Sequence, residues 1–349
     1  LYLGYGLKGL DLLSGQTLHL ATDSGSASSG AVLNAQLTGS GNLDVNGSAS
    51  AGQTLTLSNA GNSYTGTTTV SGGTLVAGSD NALGATSELL LQGTTGFDLN
   101  GKTQTIGSLS GASGSTLNVN GGNLTLSQGG QSDGTLSGAG NLTVNDGTLT
   151  VNGANSGLSA AVILNNTAQA LLSDVAALGT GSINLNGTTT GVQLDGATGT
   201  LANSLSGNGV VGIQGASAVT LSGDNSGFGG TFTTDINSSL TAGTAQHLGT
   251  AAISNDGALV LDSATDWTFN NVVSGGGTLE KSGTGNLSIG SSNTYTGGTT
   301  VSAGTLTLTN AQGAGTGAAT IAAPGTLAVS LTGGNFSNAI DNSGLLTLS

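Results

Sequence analysis

The chain has 349 residues and a formal net charge of −14, with 6% charged residues, and Lys and Arg together number three. Phosphate and sulfate groups are bound by clustered cations, so this composition argues against nucleic acids, heparin-like chains and anionic membranes as partners. Cys is absent, which excludes disulfides and thiolate metal sites, and no apolar run approaches the ~18 residues of a membrane-spanning helix.

Short alternating strands are predicted along the whole chain. In each, apolar residues at i and i+2 flank an outward position that is often Thr, which is typical of a strand with one buried face. Gly, Asn, Asp and Ser fill the intervals and favour tight turns. The clearest strands are 54–57, 88–91, 117–119, 124–126, 142–144, 149–151, 219–221, 259–261, 306–308 and 327–329. Only residues 159–178 suggest a helix, and a diverged repeat motif inside them favours strands instead.

Three motifs recur in the same order. The first is an apolar residue followed by Ser-Gly or Thr-Gly, at Leu37, Leu109, Leu136, Leu205 and Val273. The spacings of 72, 27, 69 and 68 residues give a period near 70 with one short insertion. They predict repeats over 37–108, 136–204, 205–272 and 273–339, with a one-rung insertion at 109–135.

The second motif keeps the same order. Asn62-Ser-Tyr-Thr-Gly-Thr-Thr-Thr-Val70 matches Asn293-Thr-Tyr-Thr-Gly-Gly-Thr-Thr-Val301, with diverged copies at 225–232 and 155–162. The third motif ends in Leu-Gly, at 82–84, 177–179 and 247–249. We predict a structural, repeat-defining role rather than a ligand-binding one for eight positions: Asn62, Tyr64, Gly66, Asn225, Gly229, Asn293, Tyr295 and Gly297.

A coiled chain explains how such short strands form stable sheets. Strands of three to five residues are too short for independent sheets, but coils stacked in parallel satisfy each other's backbone groups and bury a narrow core. A period near 70 fits about three rungs of ~23 residues, each advancing ~4.8 Å. The sequence therefore predicts an all-β, right-handed parallel β-helix (a β-solenoid) over 1–349, as a single elongated rod.

The second motif also resembles a known family. Asn-x-Tyr-Thr-Gly-x-Thr-x-Val followed by Gly-Gly-Thr-Leu (72–75) or Ala-Gly-Thr-Leu (303–306) resembles the passenger-associated repeat of bacterial autotransporters. The best copies cover 54–92 and 286–329. The resemblance implies type V secretion through a C-terminal translocator barrel outside this chain. It also implies display on the outer surface of a Gram-negative cell, anchored at the outer membrane. Because Met is absent, we expect a segment of a longer protein.

Residues suited to catalysis are scarce. His19 lies in an alternating strand and His247 at a repeat turn, and Ser24 within 22–26 only superficially resembles a serine-protease nucleophile, because no such domain surrounds it. Asp256, Asp262 and Asp266 are the closest carboxylates in sequence, and a coil would place them on different sides. We therefore expect no catalytic residue, no metal site and no cofactor.

Six of the ten aromatic residues lie in 228–336. They could form a sugar-stacking surface patch or an aromatic stack inside the coil, and the internal stack is favoured. The residues are Phe228, Phe232, Trp267, Phe269, Tyr295 and Phe336.

These observations favour a surface adhesin without enzymatic activity. Its expected partners are copies of itself on neighbouring cells, as in autoaggregation and biofilm formation, or host matrix proteins or glycans. One alternative is a passive stalk that presents an upstream effector domain. A β-helical polysaccharide lyase or hydrolase is a further alternative, which the absence of Arg and of paired carboxylates disfavours.

Overall fold

The fold is all-β and almost wholly parallel, as the sequence predicts. The computed structural model describes residues 7–21, 30–47 and 53–349. These residues form two compact units, the described residues up to 171 with 176–182, and residues 172–175 with 183–349. Among the described residues, every strand pair is parallel and one four-residue helix, α1, is present.

Twenty described strands begin in the first unit. They are β1 (Gly9–Leu12), β2 (Thr17–Leu20), β3 (Ala31–Leu33), β4 (Gln36–Gly39), β5 (Asn42–Asn46), β6 (Thr54–Leu57), β7 (Thr68–Gly72), β8 (Thr74–Ala77), β9 (Glu88–Leu91), β10 (Gly96–Asp98), β11 (Thr103–Ile106), β12 (Ser108–Gly111), β13 (Thr116–Asn118), β14 (Asn123–Leu126), β15 (Gly129–Ser132), β16 (Thr135–Ser137), β17 (Asn141–Val144), β18 (Thr148–Val151), β19 (Ala161–Leu164) and β20 (Gln169–Leu172).

In this unit, consecutive rungs build three main sheets. Their strand orders are β2-β5-β7-β9-β12-β15-β18-β20, β3-β6-β8-β10-β13-β16 and β11-β14-β17-β19, and β1 pairs separately with β4.

The second unit contains the remaining described strands. They are β21 (Ile183–Leu185), β22 (Gly191–Asp195), β23 (Thr198–Leu201), β24 (Leu205–Gly207), β25 (Val210–Gln214), β26 (Ala218–Leu221), β27 (Gly227–Phe228), β28 (Thr231–Thr234), β29 (Ser239–Ala242), β30 (Ala252–Asn255), β31 (Ala258–Asp262), β32 (Trp267–Phe269), β33 (Val273–Ser274), β34 (Thr278–Ser282), β35 (Asn286–Ile289), β36 (Thr299–Val301), β37 (Thr305–Leu308), β38 (Ala319–Ile321), β39 (Thr326–Val329), β40 (Ile340–Asn342) and β41 (Leu345–Leu348). The helix α1 spans Ala245–Leu248.

Four strand series organise this second unit. Their orders are β22-β25-β28-β30-β33, β23-β26-β29-β31-β34-β36-β38-β40, β21-β24-β27 and β32-β35-β37-β39-β41.

Inward side chains stack in register along each sheet. Leu287, Leu306 and Leu327 are mutual partners in β35, β37 and β39, and each is fully buried. Side chains on a strand alternate between its two faces, so the Thr and Ser residues between such positions point outward. The core is therefore a narrow column of stacked aliphatic side chains.

The rungs are shorter than the predicted 23 residues in much of the chain. Partner residues are separated by as few as 18 residues (Asn123 with Asn141) and by up to 27 (Gly9 with Gln36). Three rungs lead from Val211 through Phe232 and Ile253 to Val273, a separation of 62 residues. The 68-residue step from Leu205 to Val273 is therefore about three rungs plus six residues, which places Leu205 and Val273 in two different sheets, in β24 and β33. The expected period of about three rungs is close, but it does not return the first motif to the same sheet at this step.

Residues 109–135 and 159–178 both lie within the stacked rungs. Residues 109–135 cover slightly more than one rung, since Leu109 is already paired with Gly130. Residues 159–178 hold β19 and β20, as the diverged motif indicated. The helical turn α1 was not predicted. No helix within the three described ranges is long and apolar enough to cross a membrane.

Candidate functional site

The three recurring motifs meet at one buried asparagine. Asn62 Oδ1 accepts a hydrogen bond from the Leu37 backbone N–H at 2.8 Å, and Asn62 Nδ2 donates to the Ala82 carbonyl at 2.6 Å. Leu37 belongs to the first motif and Ala82 to the third, one rung to each side. The asparagine thus joins three successive rungs, and we call this arrangement an asparagine clip.

The same clip recurs in all four copies of the second motif. Each asparagine is at most 2% exposed, accepts from the apolar residue of the first motif and donates to a carbonyl in the next rung. The sets are Leu136–Asn155–Ala177, Leu205–Asn225–His247 and Val273–Asn293–Gly313. The motif order in the sequence is therefore the order in which one side chain connects three rungs.

Sequence inspection missed some members of this set. Gly313 begins a fourth copy of the third motif in which Ala314 replaces Leu, and that replacement concealed it. Asn271 and Asn338 each donate to two carbonyls of the preceding rung, those of Gly249 with Ala251 and of Gly315 with Gly317. The only sequence feature that indicates Asn271 and Asn338 is their position shortly before a strand.

The motif tyrosines are internal. Tyr64 and Tyr295 are fully buried, and their hydroxyls hydrogen-bond to Thr68 at 2.7 Å and to Thr299 at 2.5 Å. Burial raises the pKa of Tyr295 to about 12 and raises the pKa of Tyr64 further, because the phenolate would lose its hydration. Neither ring is available to a ligand at the surface.

The motif glycines allow close approach between rungs. A Cβ at Gly66 would overlap the Gly41 carbonyl oxygen, and a Cβ at Gly297 would lie 2.5 Å from the Gly277 oxygen. In the Asn225 copy the crowded position is Gly230, not the predicted Gly229, whose Cβ would meet only side-chain atoms at 3.1 Å or more. This copy has one additional residue before its buried aromatic, which shifts the tight position by one.

One outward surface of the second unit is uncharged. The outward side chains of β23, β26, β29 and β31 form what we call the hydroxyl face: Thr198, Thr200, Ala218, Thr220, Ser239, Thr241, Ala258 and Val260. They lie in register across four rungs. Within the described structure, none of the five hydroxyl groups on this face makes a hydrogen bond.

Outward polar side chains elsewhere are often paired between rungs. Asn141 Nδ2 donates to Asn123 Oδ1 at 2.6 Å, and the Ser302 hydroxyl donates to Glu280 at 2.6 Å. Such ladders satisfy their own hydrogen-bonding groups. On the hydroxyl face, in contrast to these ladders, the donors and acceptors remain available.

Several surface carboxylates are also held by neighbours. Hydrogen bonds from Asn152 and Gln131 lower the pKa of Asp133, and those from Asn166 and Thr167 lower the pKa of Asp146. Backbone and side-chain donors likewise lower the pKa of Asp224 and Asp235. These groups retain their negative charge to a lower pH than ordinary carboxylates.

The structure brings together one group of catalytic residue types. His19 Nδ1 lies 2.9 Å from Asp44 Oδ2, and the Ser71 hydroxyl donates to Asp44 Oδ1 at 2.6 Å. The carboxylate lies between the other two groups, whereas nucleophile activation requires the imidazole in the middle. Ser24 lies outside the described residues.

The neighbouring carboxylates do not form a pair. Asp256 accepts from the Gly276 N–H, Asp262 from the Ser282 hydroxyl and Asp266 from the Asn286 N–H. Each therefore serves its own contact with the following rung. Among the described residues, no group of three or more His, Cys, Asp or Glu side chains is placed to hold a metal.

Most of the clustered aromatics are internal. Phe228, Phe232 and Phe269 are fully buried, and the Phe228 and Phe232 rings meet edge to face at 5.0 Å. Trp267 is half-buried beside Phe269, with ring centroids 6.1 Å apart. The internal stack is the better description of this cluster.

Comparison with known proteins points to autotransporter passengers. A family model described as passenger-associated-transport-repeat matches residues 52–77 and 279–308. The chain is 53% identical over 58 residues to "Adhesin BmaC autotransporter" of Brucella suis, which covers 17% of this chain and 2% of that protein. No solved structure matches.

Two longer matches come from Escherichia coli. "Uncharacterized lipoprotein YdeK" is 38% identical over 300 residues, and "Uncharacterized protein YuaQ" is 40% identical over 309 residues. They cover 86% and 88% of this chain but 22% of each relative, so the chain spans about a fifth of their length. The repeat match and the parallel solenoid confirm the predicted resemblance to an autotransporter passenger, and the matches indicate a cell-envelope location.

Proposed function

We propose that this autotransporter passenger segment is a non-catalytic adhesin displayed outside the cell. The hydroxyl face carries the proposal, because it is a flat, uncharged surface whose hydroxyl groups have no partner in the described structure. The short match to a protein named as an adhesin supports the same function. The expected partners are copies on neighbouring cells, host matrix proteins or glycans.

Hydroxyl groups suit such a contact because each both donates and accepts a hydrogen bond. Each hydrogen bond contributes only about 0.5–1.5 kcal/mol net. Many copies displayed on two surfaces combine these small contributions into avidity. A flat array therefore holds cells together without a deep pocket.

Charge sets the conditions for self-association. The net charge of −14 makes two copies repel each other at low salt. At physiological salt this repulsion is screened beyond about 8 Å. Short-range contacts over an uncharged face then decide whether copies associate.

Absence of catalysis is part of the proposal. The arrangement of the described carboxylates supports this part of the proposal. Asp256 and Asp266, for example, each bond to a backbone N–H of the following rung and do not form a pair. The passive stalk is the second candidate. Its support is that about four-fifths of the length of each Escherichia coli relative lies outside the matched region, which leaves room for another domain that a stalk could present.

We expect cells that display this segment to clump more as salt rises from low to physiological, and again as the pH falls toward the pI of about 4.1. Thr220→Asp combined with Thr241→Asp should abolish clumping or binding to coated matrix proteins, because it charges the hydroxyl face. The matched control is Asn123→Asp with Asn141→Asp, an in-register outward pair of the first unit whose side chains already bond to each other.

Sedimentation of displaying cells measures the effect. Clumping that falls as salt rises would contradict the proposed contact and indicate bridging by cations. If displaying cells neither clump nor bind matrix proteins or glycans under any of these conditions, the stalk replaces the adhesin.

A further inference from the structure

The helical turn α1 depends on an unusual contact of His247. The Gly243 backbone N–H donates a hydrogen bond to His247 Nδ1 at 3.1 Å. The His247 carbonyl accepts from Asn225 Nδ2 at 2.7 Å, so the same residue belongs to an asparagine clip. His247 therefore links the start of the turn to the neighbouring rung.

Other contacts also hold this turn, since the Asn225 N–H donates to the Gln246 carbonyl at 2.8 Å and Leu248 is fully buried. Within it, His247 N–H donates to the Thr244 carbonyl and Gly249 N–H to the Ala245 carbonyl. The Thr244 side chain makes no capping hydrogen bond, and its buried hydroxyl has no partner. A four-residue helix is not stable by itself, so the bond from the Gly243 N–H to the His247 side chain contributes to holding the first residues of α1 in place.

The bond requires a neutral imidazole. Nδ1 can accept from the Gly243 N–H only when it carries no proton, which places the proton of the neutral ring on Nε2. Protonation would set two N–H groups against each other. We propose that His247 makes α1 an acid-sensitive element, held in place when the ring is neutral and released when it is protonated.

Nearby carboxylates do not offset this effect. Asp224 lies next to Asn225, and Asp262 and Asp266 lie in the following rung. Asp224 accepts from the Ser226 N–H, Asp262 from Ser282 and Asp266 from the Asn286 N–H. Each of these carboxylates bonds to its own neighbours, and among the described residues none forms an ion pair with the His247 ring that would hold the protonated form in place.

Partial burial of the His247 ring also favours its neutral form. Desolvation lowers the pKa of the His247 ring below the usual value for histidine. Because the unfolded state binds the proton more readily, the turn loses stability as the pH falls below about 6.5 toward the lower folded value. The element is therefore held at neutral pH and released in mild acid.

Release of α1 would change a specific surface. The turn borders a notch of about 180 Å³ lined by Ala245, Gly249, Thr250, Thr268, Asn270 and Asn271. It also packs against β32, which carries Trp267. Acid would thus widen the notch and loosen the contact between α1 and β32, and neutral pH would restore both.

Trp267 is the only tryptophan, so its fluorescence reports on this place. Between pH 7.5 and 4.5, we expect a red shift of its emission with a midpoint below 6.5. His247→Gln, which stays neutral, should abolish the shift. His19→Gln is the matched control. It removes the other histidine of the chain, which lies in the first unit, and should leave the shift unchanged.

NMR titration of the His247 ring provides a second readout that does not need the variant to be stable. We expect the Nε2–H tautomer at neutral pH and a pKa below 6.5. A flat wild-type emission curve, a shift that survives in His247→Gln, an Nδ1–H tautomer or a pKa at or above 6.5 would each overturn the proposal.

Discussion

Leu306→Asp is expected to destabilise the second unit by about 4 kcal/mol or more, because an unpaired charge would be buried in an apolar column. Leu306 is fully buried between Leu287 and Leu327. Urea unfolding followed by circular dichroism measures the loss. Leu259→Asp should have a similar effect, since Leu259 is equally buried between Leu240 and Leu279.

Thr305→Asp is the matched control for this prediction. It introduces the same charge one residue earlier in β37, on the outward side of the strand. We expect a change within about 0.5 kcal/mol there, as for most surface substitutions. Equal stability of Leu306→Asp and Thr305→Asp would show that the inward and outward faces of β37 are assigned incorrectly.

Asn293→Ala is expected to destabilise the same unit by about 2–4 kcal/mol, because two buried backbone groups lose their partner. These are the Val273 N–H, 2.9 Å from Asn293 Oδ1, and the Gly313 carbonyl, 2.8 Å from Asn293 Nδ2. Hydrogen exchange should increase in the strands next to the clip and less elsewhere. The measurement is exchange resolved by peptide, together with the midpoint of urea unfolding.

Asn270→Ala is the control for the clip, since Asn270 is exposed on the same unit. It should change the free energy of unfolding by no more than about 0.5 kcal/mol. If Asn293→Ala were as mild as Asn270→Ala, the clip would be a consequence of the rung contacts rather than a cause of them.

Alternation along the strands predicted their inward and outward faces, and the repeats predicted that the strands stack as a coil. In Thr305–Leu308, for example, Leu306 and Leu308 are buried and Thr305 and Thr307 face outward, because successive side chains in a strand alternate. Rung length was not predictable, since turns of different lengths between strands leave the alternation intact. Counting residues therefore could not predict that Leu205 and Val273 lie in different sheets.

The role of the repeat motifs was predicted only as structural. Asn62 and Ala82 are 20 residues apart in sequence, and nothing in their types shows that one side chain connects them. His247 was likewise placed only at a repeat turn, because the Nδ1 contact with Gly243 depends on the backbone of α1. Long-range hydrogen bonds of this kind appear only when neighbouring rungs are superposed.

The parallel register of the rungs is the central claim, and spin-label spectroscopy tests it most directly. The chain has no Cys, so labels can be attached at Thr220→Cys and Thr241→Cys, which are partners in adjacent strands of the hydroxyl face. Adjacent rungs lie about 4.8 Å apart, so we predict strong dipolar broadening of the spectrum, measured in an excess of unlabelled protein. A second pair, Thr220→Cys with Val260→Cys, is two rungs apart and should broaden less. A Thr220–Thr241 spectrum equal to the sum of the singly labelled spectra would contradict the parallel solenoid.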